Sequence, residues 1–240
     1  MKQGLYLVGT DTEAGKTITA AALVAGLRAR GLEMDYFKPV GSDAVEAQGV
    51  RVNPDAVLVC RAAGLDTPLQ EMNPLCLEHP LSPLAAARLE GRRLEAEEVE
   101  RILREGLERH APCLVEGVGG LLVPLCDGLT FLDLMERLPL PVVLVARPGL
   151  GTINHTLLSL EALARRGLEV VGFVFSGPEE PLAPGARNSQ LIAEFSGAAF
   201  LGALPLLNTG PGGDLEPGRL AELAQAHLDL QALARALGTA

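Results

Sequence analysis

No stretch of this 240-residue sequence is apolar for long enough to span a bilayer: the longest run, around 138–146, is interrupted by Pro139 and Pro141. There is no excess of positive charge either. A formal net charge of −10 weighs against nucleic acid or an anionic membrane as a general partner, while leaving room for a local basic site. Cys60, Cys76, Cys113 and Cys126 form no C-x-x-C pair, so they read as buried, reduced thiols of a cytoplasmic protein. Met1-Lys2-Gln3 passes straight into an apolar strand without the features of a secretory leader. Internal repeats and low-complexity tails are lacking too. Lysine is scarce, with three against 17 arginines, and two of the three, Lys16 and Lys38, fall in motif-like places. What remains, 48% hydrophobic and 21% charged residues, is ordinary for a soluble globular protein with room for a sizeable core.

The chain is organised around its first 30 residues. Leu5-Tyr6-Leu7-Val8 reads as a buried parallel strand. From Thr17 to Arg30, Ile18, Ala21, Ala22, Ala25 and Leu27 recur at helical spacing. Between them lies Gly9-Thr10-Asp11-Thr12-Glu13-Ala14-Gly15-Lys16-Thr17. A glycine-rich turn between strand and helix aims backbone N–H groups and a helix N-terminus at an anion, so this segment reads as a phosphate loop. In that reading Lys16 reaches the terminal phosphates and the Thr17 hydroxyl holds Mg2+. Thr10 stands where a strict G-x4-G-K-T pattern has glycine, with Gly9 one residue earlier; the alternative is a plain strand–turn–helix with an ordinary lysine.

Further strands are expected at 34–37, 113–116, 141–146, 170–175 and 199–201. Helices are expected after Asn53-Pro54-Asp55, at 84–89, 94–110, 152–166 and 187–195, and between 220 and 237. Residues 208–218, rich in glycine, read as a loop. Strands alternating with helices predict an α/β fold, one doubly wound, mostly parallel sheet with helices on both faces in a single domain, 1–240. Ligands of such sheets bind at the carboxyl ends of the strands. Lys38 and Ser42 follow the second strand, so they lie at the same rim as the phosphate loop, unless Lys38 is simply a solvated loop lysine. Glu116 ends an apolar strand before Gly117-Val118-Gly119-Gly120; it suits a Mg2+ or water-positioning role, or is a strand-end acid in a glycine turn.

Together these segments resemble the dethiobiotin synthetase family of ATP-dependent ring-closing enzymes. The carriers are GTDTEAGKT at 9–17, FKPVGS at 37–42, VEGVGG at 115–120 and LGTINH at 150–155, in the family's order and spacing, with SPLAAARLEG at 82–91 similar to another family segment. The resemblance spans about 4–207. It implies that 7,8-diaminopelargonic acid is carboxylated by CO2 to a carbamate, phosphorylated by ATP, and closed to the ureido ring. It implies that Lys16 binds the ATP phosphates and that Lys38 neutralises the carbamate and the transferring phosphoryl group. Thr12 and Glu13 would lie around the reacting groups, with Glu13, Ala14, Gly15, Thr17 and Ile18 holding ATP. Thr17, Asp55 and Glu116 match Mg2+ ligands, and Gly117, Val118 and Gly119 belong to the ATP site. Ser42 matches a substrate contact. Gly151, Thr152 and Asn154 would present helix N-terminal N–H groups to the substrate carboxylate across a homodimer interface. Pro205, Leu206 and Leu207 fall where the adenine is held.

Two positions depart from the family pattern. Ser176 replaces a base-reading asparagine, and its shorter reach bears on adenine selectivity. Asp43 replaces a glycine and adds negative charge beside an anion site. The ParA/MinD type of partitioning and septum-positioning ATPase shares the deviant loop but carries a signature lysine where Asp11 stands here. The chain also shows no basic amphipathic C-terminal helix. Cobyrinic-acid-type amidoligases usually append a glutamine amidotransferase domain, which this chain is too short to hold. A bare nucleotide-binding module leaves Lys38 and Glu116 unexplained.

Overall fold

Six strands make the central sheet: β1 (Gly4–Gly9), β2 (Asp35–Phe37), β3 (Cys113–Gly120), β4 (Val142–Ala146), β5 (Val170–Ser176) and β6 (Phe200–Leu204). A computed structural model describes residues 4–181, 187–208 and 215–239. Every pairing in this sheet is parallel, in the order β6-β5-β4-β1-β3-β2. The chain therefore runs from the centre to one edge, returns beside β1, then crosses to the other side. That reversal leaves a crevice at the carboxyl ends of β1 and its neighbours, where side-chain chemistry can gather.

Alternation along the strands sorts the core into two layers. Leu5, Leu7, Tyr36 and Leu114 face one way, against helices α1 (Lys16–Arg28), α2 (Pro54–Ala62) and, near the C-terminus, Pro217–His227 and Leu230–Ala236. Tyr6, Val8, Phe37 and Val115 face the other way, against α3 (Ala96–Arg109) and α4 (Thr152–Arg165). Helix α1 is alanine-rich and buried nearly all round, as expected of a helix sandwiched between sheet and outer helices. Its Gly26 is pinned there, because an added Cβ would lie 2.8 Å from both Ala224 and Leu230. Each large aliphatic side chain buried in these layers contributes roughly 1.5–3 kcal/mol.

The doubly wound parallel sheet stands as expected, with boundaries shifted by a few residues. Three differences have local causes. Gly117–Gly120 is not a turn: β3 continues through it, because Gly120 pairs with Gly9 of β1 after a register shift. The antiparallel pair Val45–Ala47 and Val50–Val52 was not foreseen; it turns on Gln48 and Gly49, both at positive φ. Helix Phe131–Arg137 was not foreseen either, although Thr130 and Asp133 form a capping box at its start. Of the glycine-rich segment read as a loop, 209–214 lies outside the described residues, and a helix already begins at Pro217. Among the described residues no helix is long and apolar enough to cross a membrane.

Candidate active site

Gly15 is the pivot of the loop between β1 and α1. It takes φ 88°, a left-handed conformation that glycine adopts without steric cost, and starts α1. Glu13, two residues earlier, is also left-handed at φ 59°, a conformation uncommon for a residue with a side chain and recurrent at functional sites. The loop folds over Lys16, which is buried and donates from Nζ to the Asp11 carbonyl at 3.1 Å. Burial lowers the Lys16 pKa, and the negative charge of Glu116 offsets part of that.

Strand register brings the remaining charges to this loop. Tyr36 of β2 pairs with Leu114 of β3, and Leu7 of β1 with Glu116. Because side chains alternate, Tyr36 and Lys38 share one face with Leu114 and Glu116, the face covered by α1. Glu116 is completely buried there. Its Oε2 accepts from the Tyr36 hydroxyl at 3.0 Å, and its Oε1 accepts from Lys38 Nζ at 3.0 Å and Thr17 Oγ1 at 3.3 Å. Lys38, 3% exposed, also contacts Asp55 Oδ2. Burial by itself would depress the Lys38 pKa, but Glu116 and Asp55 outweigh it and hold the ammonium charged. Burial would likewise raise Asp55, yet Lys38 and the Thr17 hydroxyl keep its carboxyl below the usual range. Burial, then Glu116 and Asp55, push the Tyr36 hydroxyl well above its ordinary pKa, so it serves as an O–H donor. Removing that donor would strand Glu116 Oε2 in the core. Tyr36→Phe is therefore expected to lower the unfolding free energy by about 1–3 kcal/mol. Urea denaturation checks this, and an unchanged midpoint would show that Glu116 does not depend on the hydroxyl.

Two asparagines hold Lys38 and Asp55 at this spacing. Asn73 donates from Nδ2 to the Lys38 carbonyl at 2.8 Å and accepts from the Asn53 N–H at 2.8 Å. Asn53 accepts from the Asp55 N–H at 2.9 Å, capping α2, and its Nδ2 contacts the Ser42 carbonyl. Neither Tyr36 nor Asn73 was singled out from sequence. The alternation that places Tyr36 beside Lys38 was a readable signal, whereas nothing local marked Asn73.

A cleft of about 820 Å³ collects most of the expected site: Thr12, Glu13, Gly15, Lys16, Thr17 and Ile18 from the loop side face Lys38, Ser42, Asp55, Glu116, Val118 and Gly119. Asp43 is on the same wall, as are Pro80, Leu81 and Ser82 from the segment before helix Pro83–Leu89. Ala14 is buried beneath the loop, and Gly117 packs on Phe131. Ser176, at the end of β5, lies directly against Gly15: a Cβ on Gly15 would be 2.0 Å from Ser176 Oγ. Beyond it, Gly177 adjoins Pro148 and the largely exposed Leu206, with Pro205 and Leu207 half-buried beside it. Gly151 and Thr152 line other clefts of the same chain, next to the fully exposed Leu150. The Thr152 N–H already donates to the Gly149 carbonyl at 3.1 Å, and Asn154 is exposed in the first turn of α4. Asp11 pairs with Arg147 at 3.9 Å.

Comparison with known proteins agrees with this fold. The family profile described as an AAA domain matches residues 3–209. Among solved structures, the MinC:MinD cell division complex of Aquifex aeolicus superposes with a TM-score of 0.60 at 12% identity, covering 99% of this chain and 96% of that one. A ParA family ATPase from Chlorobium tepidum TLS gives a TM-score of 0.52 at 10% identity, covering 98% and 92%. At such identities the likeness concerns the fold alone. Sequence similarity is far higher to curated ATP-dependent dethiobiotin synthetases. That of Anaeromyxobacter dehalogenans (strain 2CP-C) is 44% identical over 85% of this chain and 90% of its own length. That of Thermodesulfovibrio yellowstonii is 36% identical over 97% and 99%. The chain belongs to the ATP-dependent dethiobiotin synthetase family, ATP-dependent ligases of biotin biosynthesis.

Proposed function

We propose that the protein closes the ureido ring of dethiobiotin from 7,8-diaminopelargonic acid, CO2 and ATP. One amine attacks CO2, forming an N–C bond and losing a proton to give a carbamate. A carbamate oxygen then attacks the γ-phosphorus of ATP; the bond to ADP breaks and a carbamic-phosphate mixed anhydride results. The second amine attacks the carbonyl carbon, phosphate departs, and loss of a proton leaves the ring. Each step before the last gathers negative charge, so the protein's part is to position anions and stabilise charge in transfer.

The observation that carries this reading is a buried, charged Lys38 across one cleft from the phosphate loop and Lys16. Lys16 holds the ATP phosphates with the loop N–H groups, and Lys38 neutralises the carbamate and the phosphoryl group. Thr12 and Glu13 border the reacting groups, and Ser42 contacts the substrate from the opposite wall. Ser176, Pro205, Leu206 and Leu207 border the base. Thr17, Asp55 and Glu116 are hard oxygen donors that converge around Lys38, a set suited to Mg2+. Bound there, Mg2+ would screen the charge of the nucleotide phosphates. Gly151 and Thr152 line a different cleft from Lys38, which supports a site completed by a second copy. In that homodimer, Gly151, Thr152 and Asn154 of one chain receive the substrate carboxylate held by the other.

Phosphate release from Mg-ATP tests the proposal. Release is expected only when diaminopelargonic acid and bicarbonate are both present, with dethiobiotin formed in equal amount. Release indifferent to both, but stimulated by DNA or lipid, would favour a switch ATPase instead.

A further inference from the structure

We infer that Lys38 is a place-holder for the divalent cation: its ammonium occupies the carboxylate pair of Asp55 and Glu116 until a metal arriving with nucleotide displaces it toward the cleft. This rests on the reading of Thr17, Asp55 and Glu116 as metal ligands. Three features of the site carry it.

First, the two oxygens of Glu116 are divided. Oε2 is committed to the Tyr36 hydroxyl at 3.0 Å, in a fully buried pair. Only Oε1 faces Thr17, at 3.3 Å, and that same atom is the one Lys38 holds at 3.0 Å. A cation bound to Glu116 and Thr17 must use the oxygen that Lys38 occupies. Second, Lys38 contacts both carboxylates at once and is 3% exposed. A divalent ion added without displacing it would sit against a buried ammonium, and like charges at such range oppose each other strongly. Third, the way out exists. Lys38 lines the cleft together with Lys16 and the loop, and an ammonium on a flexible four-carbon stem can swing where guanidinium could not. Incoming phosphates supply the negative charge that replaces the lost carboxylate contacts.

The consequence is an order of events. Without Mg-nucleotide, Lys38 is neutralised internally and offers little to an anion in the cleft. With it, the carboxylates pass to the metal and Lys38 becomes available to the substrate.

Binding of Mn2+ alone, without nucleotide, tests this by electron paramagnetic resonance titration. Wild type should bind Mn2+ weakly. Lys38→Met should bind about tenfold tighter or more, Lys38→Arg should remain as weak as wild type, and adding Asp55→Asn to Lys38→Met should abolish the gain. Lys38→Gln, which keeps a hydrogen-bond donor of similar reach, repeats the test should the methionine variant not fold without metal. Wild-type affinity in both neutral variants overturns the inference. If Asp55→Asn still weakens Mn-ATP binding in that case, the ligand assignment stands and only the place-holder falls. If Asp55→Asn leaves Mn-ATP binding untouched, both fall. Dethiobiotin formation by wild type is judged separately from either.

Discussion

Lys38→Ala is expected to cut dethiobiotin formation roughly 10³-fold or more while leaving ATP binding nearly intact. The asymmetry follows from where the side chain sits. Lys16 folds under the phosphate loop and contacts the Asp11 carbonyl, and the proposed mechanism puts the nucleotide contacts there. Lys38 is held instead by Glu116 and Asp55, and in the proposed mechanism its charge serves the groups that gain negative charge during transfer. Removing a buried partner also leaves the Glu116 carboxylate uncompensated, at a cost of about 3–5 kcal/mol in stability. The comparison therefore belongs at saturating Mg2+, where in the proposed reading the metal would cover that charge. Calorimetric titration with ATP and single-turnover assays separate the two effects. Loss of ATP binding in this variant would move Lys38 into the nucleotide site.

Gly15→Ala should weaken ATP binding by about 10²-fold. Two penalties coincide. At φ 88° an L side chain is strained, which costs about 1–2 kcal/mol. The new Cβ would also fall 2.0 Å from Ser176 Oγ and 2.4 Å from Ser176 Cβ, so loop and strand would have to separate. Ser176→Ala cannot relieve this, since its Cβ remains. Ser176→Gly removes the collision and leaves the backbone strain, so the double variant should recover part of the affinity. Titration calorimetry on the three proteins checks the order; ATP binding by Gly15→Ala at wild-type strength would mean that the loop does not need this conformation.

The phosphate loop was legible because its signal is local. A β-type run, a glycine turn, Lys16-Thr17 and an alanine-rich helix follow one another, and each fixes its own backbone. The alternation of strands and helices likewise announced the parallel sheet. What failed was short or exposed. The strands at 45–47 and 50–52 alternate as Val-Glu-Ala and Val-Arg-Val but are only three residues each, too short to read, and helix Phe131–Arg137 spans only seven residues. Its capping box, Thr130 with Asp133, was visible in the sequence and was the clue to use.

The sequence by itself determined the loop, the order of the strands along the chain, and the presence of a lysine just past one strand and an acid closing the apolar run of another. Tertiary structure decided that these two residues meet. Nothing within residues 35–38 or 113–116 states that β3 inserts between β1 and β2; that neighbourhood is set by long-range pairing. The same pairing puts Tyr36 against Glu116 and buries the carboxylate completely. An acid that the sequence left free to be solvated thus became the charge around which Lys38, Asp55 and Thr17 are arranged. Burial makes that difference, because a carboxylate removed from water requires partners, and only the assembled sheet and the helix packed on it supply them.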